Sequence, residues 1–301
     1  MKILKENTAM VSVCMITYNH ELYIRDALDG VVMQKTNFKI ELIIGEDCSN
    51  DETRKICEDY AAKYPKLIQL LPSDRNLGMS QNGIRTLQSC KGKYIALLDG
   101  DDYWTDTLKL QKQVDFLEAN EEYGICFHNT TQLNTFDNSK NSIIPNTVDD
   151  MDYSIEDYIL NNKTATCSIV FKSECLGTIP KWFNNLPFGD LGIVLLVMNN
   201  SNKIGRVLSD VMGVYRIHEG GIHGSFHKSD NGLIIAYLQH IKFNKIISNQ
   251  FLKEKKHKKA IFKKYSNTYN VLGRLYKRNN KLQFIKVMFL KSYYKLLIKF
   301  I

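Results

Sequence analysis

Much of what this chain of 301 residues does not contain is informative. No stretch approaches the roughly 18–20 apolar residues that a membrane-spanning helix needs. Met1 to Asn7 is polar, and the apolar run Val11 to Ile16 is only strand length, so no secretory leader is expected. No Cys-x-x-Cys pair occurs. The cysteines (Cys14, Cys48, Cys57, Cys90, Cys126, Cys167 and Cys175) are odd in number and scattered, which predicts reduced packing thiols rather than disulfides or zinc, and a cytoplasmic protein. His223 and His227 stand four apart but lack a matching acid, so no zinc site is expected there. Acids nearly vanish from residues 241–301, where 17 Lys/Arg face Glu254 alone, although the whole chain carries only +8. The body is therefore acidic and the tail strongly basic.

What is present alternates. Val11–Ile16, Ile40–Gly45, Leu67–Leu71, Tyr94–Leu98 and Gly124–His128 read as buried strands. Helical patterns fall between them, over Glu21–Gln34, from Ser49 to Tyr64, over Asn82–Cys90, and from Thr105 or Asp106 to about Ala119. Ser49-Asn50-Asp51-Glu52 reads as a capping box, and Pro65 should stop that helix at Tyr64. Residues 132–160 read as an irregular loop, Ala165–Phe171 as a strand, Leu191–Met198 as a helix, and Val207–Ile217 as containing a strand. Such alternation predicts an α/β fold: a mixed, mainly parallel sheet flanked by helices, with a C-terminal helical appendage. A boundary is placed near residue 230.

The acids sit where chemistry happens in such sheets. Glu46 and Asp47 follow the second strand, Asp99, Asp101 and Asp102 follow the fourth, and Tyr18 ends the first; ligands of open α/β sheets bind outside these C-terminal strand ends. Gly100 permits a tight bend between the carboxylates. Three crowded carboxylates stay ionised only beside a cation or hydrogen-bond donors. Hard oxygens select Mg²⁺ or Mn²⁺, which keep positions open for phosphate, so the cluster suits a metal–diphosphate. A solvated acidic turn is the plainer alternative.

Taken in order, Val11-Ser12-Val13 through Tyr18-Asn19, Ile43-Ile44-Gly45-Glu46-Asp47-Cys48-Ser49-Asn50-Asp51, Asn76-Leu77-Gly78, Asp99-Gly100-Asp101-Asp102-Tyr103-Trp104, Gly189-Asp190 and Tyr215-Arg216-Ile217-His218 resemble the family 2 glycosyltransferases of GT-A (Rossmann-like) fold, over roughly residues 9–222. The likeness is nearest to bacterial enzymes of surface-glycan assembly. Glu46 and Cys48 depart from it, since an Asp and a Gly are commoner there. The resemblance implies transfer of a sugar from a nucleotide-sugar, with inversion at the anomeric carbon, to a glycan or lipid-linked acceptor. It implies a catalytic domain over 1–230, with a nucleotide-sugar half to about 130 and an acceptor half beyond. UDP is the commonest nucleotide of the family, with dTDP and GDP left open.

Under that reading Tyr18 offers a flat face for a base, or simply fills the core at a strand end. Asn19 and Gly100 belong to the same nucleotide-sugar site. Asp47 accepts hydrogen bonds from base or ribose, or caps the next helix. Asp99 holds ribose hydroxyls or a metal-bound water. Asp101 is the first choice as direct metal ligand and Asp102 the second. Asp190 occupies the family's catalytic position and is the candidate base, or a plain helix N-cap. His218 is a third metal ligand, its imidazole better suited to Mn²⁺ than Mg²⁺, and Arg216 lies near the diphosphate; the plainer alternative is a strand end before a Gly220-Gly221 turn. Arg75 and Arg85 are read as surface groups.

Residues 231–301 interleave apolar residues with lysine, predicting amphipathic helices. They either pack on the body with a solvated lysine face or dock peripherally on an anionic membrane at the inner face of the cell. No nucleic-acid partner is expected, because the tail matches no recognised module. Two other functions compete. A nucleotidyltransferase also gathers carboxylates and metal, but Thr17-Tyr18-Asn19-His20 is not a triphosphate loop. A non-catalytic, membrane-associated assembly protein would not need intact Asp99, Asp101, Asp102 and Asp190.

Overall fold

The first strand, apolar but for Ser12 as far as Ile16, is buried on both faces and takes a central place. The computed structural model describes residues 9–221, 224, 226, 229–251 and 254–301, without the side chains of 251, 278 and 279. His223 and His227 lie outside these residues. β1 (Val11–Thr17) lies between β2 (Ile40–Glu46) and β4 (Tyr94–Asp99), parallel to both, and β3 (Ile68–Leu70) adds parallel to β2. In register, Thr17 stands opposite Glu46 and Ile16 opposite Asp99, so three strand ends finish level along one edge.

The rest of the sheet is antiparallel. β5 (Tyr103–Trp104), β6 (Tyr123–Asn134), β7 (Ser142–Ile144), β8 (Met151–Tyr153), β9 (Val170–Lys172) and β10 (Ile204–Ile217) complete ten strands, in the path β3-β2-β1-β4-β9-β6-β10-β5, with β7 on β6 and β8 on β10. The sheet is thus mixed, as the alternating pattern predicts.

Helices α1 (Ile24–Val32), α2 (Thr53–Lys63), α3 (Met79–Ser89) and α4 (Lys109–Ala119) connect the early strands. Val13, Met15, Leu42, Ile44, Ala96 and Leu98 join Ile24 and Leu28 of α1 and Leu110 and Val114 of α4 in one core cluster. Each Val, Leu, Ile or Met side chain among them contributes about 1.5–3 kcal/mol when fully buried. Helices α5 (Ile155–Leu160), α6 (Ser173–Leu176), α7 (Gly189–Ser201), α8 (Asp230–Phe251), α9 (Lys255–Asn279) and α10 (Lys281–Lys299) follow.

The chain divides into two units. One comprises Met1–Asp152, Lys163–Pro180 and Leu196–Arg216, and holds the sheet; the other comprises Tyr153–Asn162, Lys181–Leu195 and Ile217–Ile301. Within the second, α9 packs against α5, α8 and α10. No helix among the described residues is long and apolar enough to cross a membrane.

Four local expectations are corrected. Ser49 does not cap α2, which starts at Thr53; Asp51 Oδ1 accepts from Thr53 N at 3.0 Å instead, and Ser49 is used elsewhere. Residues 132–160 are not one loop: β7 pairs with β6, and α5 starts at a capping box in which Ser154 and Asp157 exchange hydrogen bonds. Ala165–Phe171 begins as a 3-10 turn over Thr166–Ser168, and only Val170–Lys172 pairs as a strand, because the Ser168 hydroxyl bonds back to Ala165 O at 2.7 Å. The fourth helix starts at Lys109, later than Thr105 or Asp106, with Asp106 Oδ1 accepting from Leu108 N at 2.8 Å.

Candidate functional site

The loops after β1 and β2 are stitched together. Asn19 N donates to Ser49 Oγ at 2.9 Å, and Asn50 N donates back to Asn19 Oδ1 at 2.9 Å. His20 N donates to Thr53 Oγ1 at 2.7 Å, Glu21 N to Asp51 Oδ2 at 3.1 Å, and Glu52 N to Glu21 Oε2 at 3.0 Å. This is where Ser49 goes. The stitching requires a left-handed backbone at Asn19 (φ 55°) and at Cys48 (φ 60°). Asparagine adopts that region at less cost than cysteine, which explains why a glycine suits the position of Cys48. Glu46 is fully buried: Oε1 accepts from Ser49 N at 2.6 Å and Oε2 lies 3.5 Å from the Arg54 guanidinium.

Tyr18 projects beside this lattice. It is 40% exposed, and its hydroxyl accepts from Asn50 Nδ2 at 3.4 Å, so its ring is not a core aromatic. Asp47 is committed differently. Its two carboxylate oxygens accept from Leu77 N (2.8 Å) and Gly78 N (2.9 Å), and its carbonyl accepts from Asn76 Nδ2 (2.9 Å). Asp47 is buried and shapes the Asn76-Leu77-Gly78 loop. Arg85 is no surface group: it donates to Glu46 O (2.9 Å), Pro72 O (2.5 Å) and Asn82 Oδ1 (2.8 Å), locking α3 to the strand end.

The aspartates form a turn closed by Asp102 N to Asp99 O at 3.1 Å and fixed to β1 by Gly100 N to Ile16 O at 2.9 Å. Gly100 is needed for clearance rather than for an unusual φ, because a Cβ there would lie 2.4 Å from Thr17 Oγ1. Asp101 stays accessible, with Oδ2 3.7 Å from His20 Nε2. His20 is a residue that sequence reasoning passed over; its place directly after Tyr18-Asn19, at the same strand end, was the available signal. Its Nδ1 meets Thr17 Oγ1 at 3.2 Å. Asp102 turns inward: Oδ1 accepts from Arg216 N at 2.9 Å, and the buried Oδ2 has no hydrogen-bond partner. Burial, then the charges of Asp101 and Asp99, raise its pKa well above the ordinary carboxylate value.

Arg216, at the end of β10, holds the turn from the other side. It donates to Asp101 O at 2.9 Å, pairs with Asp26, and lies 4.3 Å from the Tyr103 ring centroid. Behind the turn, Trp104 donates from Nε1 to Cys167 O at 2.8 Å, and Lys109 Nζ sits 3.9 Å from the Trp104 ring centroid. Lys109 is wholly buried without a hydrogen-bond partner for its nitrogen, and burial lowers its pKa to about 7. Burial, with Lys109 adding to it, lowers the nearby His128 to about 3.

Asp190 and His218 belong to the second unit. Asp190 lies in the first turn of α7, partly exposed, where the helix dipole favours a carboxylate. His218 is buried, two residues beyond Arg216 in the chain, and Gly221 N closes a turn onto its carbonyl at 3.2 Å. A Cβ at Gly221 would stand 3.2 Å from its Nε2.

Residues 12–176 match the sequence profile of Glycosyl transferase family 2. The uncharacterized protein Rv1520 of Mycobacterium tuberculosis is 36% identical over 214 residues, covering 70% of this chain and 60% of that protein. The minor teichoic acid biosynthesis protein GgaB of Bacillus subtilis is 30% identical over 233 residues, 70% of this chain and 23% of its own length. The chain therefore spans less than two thirds of these relatives. Among solved structures, S. aureus TarS 1–349 in complex with UDP superposes with a TM-score of 0.61 at 17% identity, over 86% of this chain and 72% of that one. The mannosyltransferase PcManGT from Pyrobaculum calidifontis, in complex with GDP-Man and Mn²⁺, superposes at 0.56 and 15% identity, over 99% and 86%. At such identities the two structures establish a shared fold.

Proposed function

This chain belongs to glycosyl transferase family 2, and from that premise we propose that it moves a sugar, with inversion, from a nucleotide-sugar to an acceptor in bacterial surface polysaccharide synthesis. The observation that carries the reading is the convergence of Tyr18, Asp99 and Asp101 on the level ends of β1 and β4, beside a loop lattice already hydrogen-bonded to itself. A UDP-sugar is the favoured donor, given the UDP complex of TarS, and the teichoic acid role of GgaB favours a glycan or lipid-linked acceptor.

Each residue then has a task. Tyr18 presents its exposed ring to the base, and the two loops held by Asp47 and by Asn19 wall the nucleoside. Asp99 accepts from the ribose hydroxyls. Arg216 fixes the turn that carries Asp101, so its guanidinium acts on the diphosphate through that turn. A divalent cation fits the donor set: Asp101 supplies a hard oxygen, His20 an imidazole nitrogen beside it, and Asp102 a buried oxygen without a partner. His218, from the segment after Arg216, completes that set in this proposal. Mn²⁺ or Mg²⁺ bound there supplies Lewis-acid neutralisation of the leaving diphosphate. Asp190 takes the proton of the attacking acceptor hydroxyl as the new glycosidic bond forms and the bond to the diphosphate breaks.

The test incubates the full chain with UDP-, dTDP- and GDP-sugars and Mn²⁺, and measures nucleoside diphosphate release. One donor should dominate, and Asp101→Asn should lose most release and metal-dependent nucleotide binding while keeping its circular dichroism. Undiminished turnover in excess chelator removes the metal from the scheme. Pyrophosphate release from a nucleoside triphosphate and a sugar phosphate places the chain among nucleotidyltransferases instead.

A further inference from the structure

Helix α10 is apolar on two opposite sides, and among the described residues only one of them is packed. Towards α9 it buries Val287 and stacks Tyr294 on Tyr265, with ring centroids 4.5 Å apart and planes within 13°. Lys291 reaches Asn270 Oδ1 of α9 at 2.7 Å. The close approach runs through Gly273, where a Cβ would stand 2.9 Å from Met288 Sδ. Away from α9, Leu282, Ile285, Phe289, Tyr293, Leu296 and Phe300 are 47–78% exposed. At 3.6 residues per turn these six fall within an arc of about 80°, opposite the face that carries Val287 and Tyr294. Exposed lysines border the arc, Lys281 and Lys299 on one side and Lys286 on the other.

A helix that is apolar on both sides has two partners to satisfy, and large exposed apolar patches mark docking surfaces. Charge decides between the occupants. Residues 241–301 carry 17 Lys/Arg and one acid, so a second copy of this face would bring like charges together, whereas an anionic lipid surface complements them. Depth agrees: no described helix is suited to crossing a bilayer, while an apolar arc edged by lysines suits a helix lying in the headgroup plane. We propose that the exposed face of α10 docks on anionic membrane, with the six apolar side chains in the acyl boundary and the bordering lysines at lipid phosphates. This goes beyond the transferase reading, stands on separate residues, and can fail without it.

The test is co-sedimentation of the full chain with vesicles of phosphatidylcholine alone or with 30% phosphatidylglycerol, at about 0.05 and 0.5 M salt, alongside sedimentation velocity without lipid. Wild type should bind the anionic vesicles, weaken with salt and stay monomeric. Phe289→Glu/Leu296→Glu, at exposed positions, should lose about tenfold or more in partitioning. Lys281→Glu/Lys286→Glu/Lys299→Glu should lose the salt-dependent part and keep the apolar residues, which guards against a folding defect in the first variant. Both variants should keep wild-type circular dichroism and nucleotide binding. Wild type that ignores anionic vesicles at low salt overturns the proposal. So does a dimer dispersed by Phe289→Glu/Leu296→Glu, which would assign the face to a second copy. Equal partitioning of both variants and wild type also overturns it.

Discussion

Replacing Lys109 by methionine should make the protein more stable, and more so in acid than in alkali. Lys109 is the first residue of α4, wholly buried, with its nitrogen lacking a hydrogen bond and facing the Trp104 ring. Burial lowers its pKa from 10.5 to about 7. That difference corresponds to about 4–5 kcal/mol between charged and neutral forms. The folded value lies below the unfolded one, so between about pH 7 and 10.5 the unfolded chain binds the extra proton and stability rises with pH. Below pH 7 the amine is charged in both states and the whole penalty stands. Methionine fills similar space without a charge, so Lys109→Met should gain about 4–5 kcal/mol at pH 6, and about 2–3 kcal/mol less than that at pH 9. Urea unfolding followed by Trp104 fluorescence in a Trp182→Phe background reads the unit that contains the lysine. A gain that stays constant from pH 6 to 9, or a loss at pH 6, refutes the reasoning.

Three further outcomes are expected. Cys48→Gly should raise the urea midpoint by the equivalent of about 1–2 kcal/mol, because glycine occupies φ 60° without the Cβ clash. Gly100→Ala should cost about 1–3 kcal/mol and weaken nucleotide binding measured by calorimetry, since its Cβ meets Thr17 at 2.4 Å and pushes the aspartate turn off β1. Asp190→Asn should lower turnover by about 10²–10⁴-fold with donor affinity kept; lost affinity with unchanged turnover would remove Asp190 from the base role.

The buried parallel strands were legible because burial on both faces forces largely apolar runs, broken only by Ser12 in β1 and Glu41 in β2, and β1, β2 and β4 fall within a residue of their expected ends. Short antiparallel pieces were not, since β7, β8 and β9 are three residues each and owe their pairing to partners distant in sequence. The gathering of acids at level strand ends was legible, yet acid identity says nothing about which oxygen is already taken. Asp47 and Asp102 look alike in sequence to Asp101, but the first spends its carboxylate on Leu77 and Gly78 and the second turns an oxygen to the Arg216 amide. Ser49 was misread for a related reason. A capping pattern fixes a helix start only when no competing donor takes the hydroxyl, and here Asn19 N donates to it.

The place of β10 has a consequence for synthesis. It lies between β6 and β5 in the sheet, and Gly213 and Val214 pair with Trp104 and Tyr103, the two residues that follow the aspartates. A ribosome releases Asp101 more than a hundred residues before it releases Arg216. At about 5–20 residues per second that interval is about 5–20 s, during which the nascent turn lacks the strand and the guanidinium that hold it. Nucleotide affinity should therefore arise late and abruptly: nascent chains stalled before residue 204 should bind poorly, and those extended well past 216 should bind as the full chain does. The last strand acts as the keystone of a turn whose own aspartates were all made earlier.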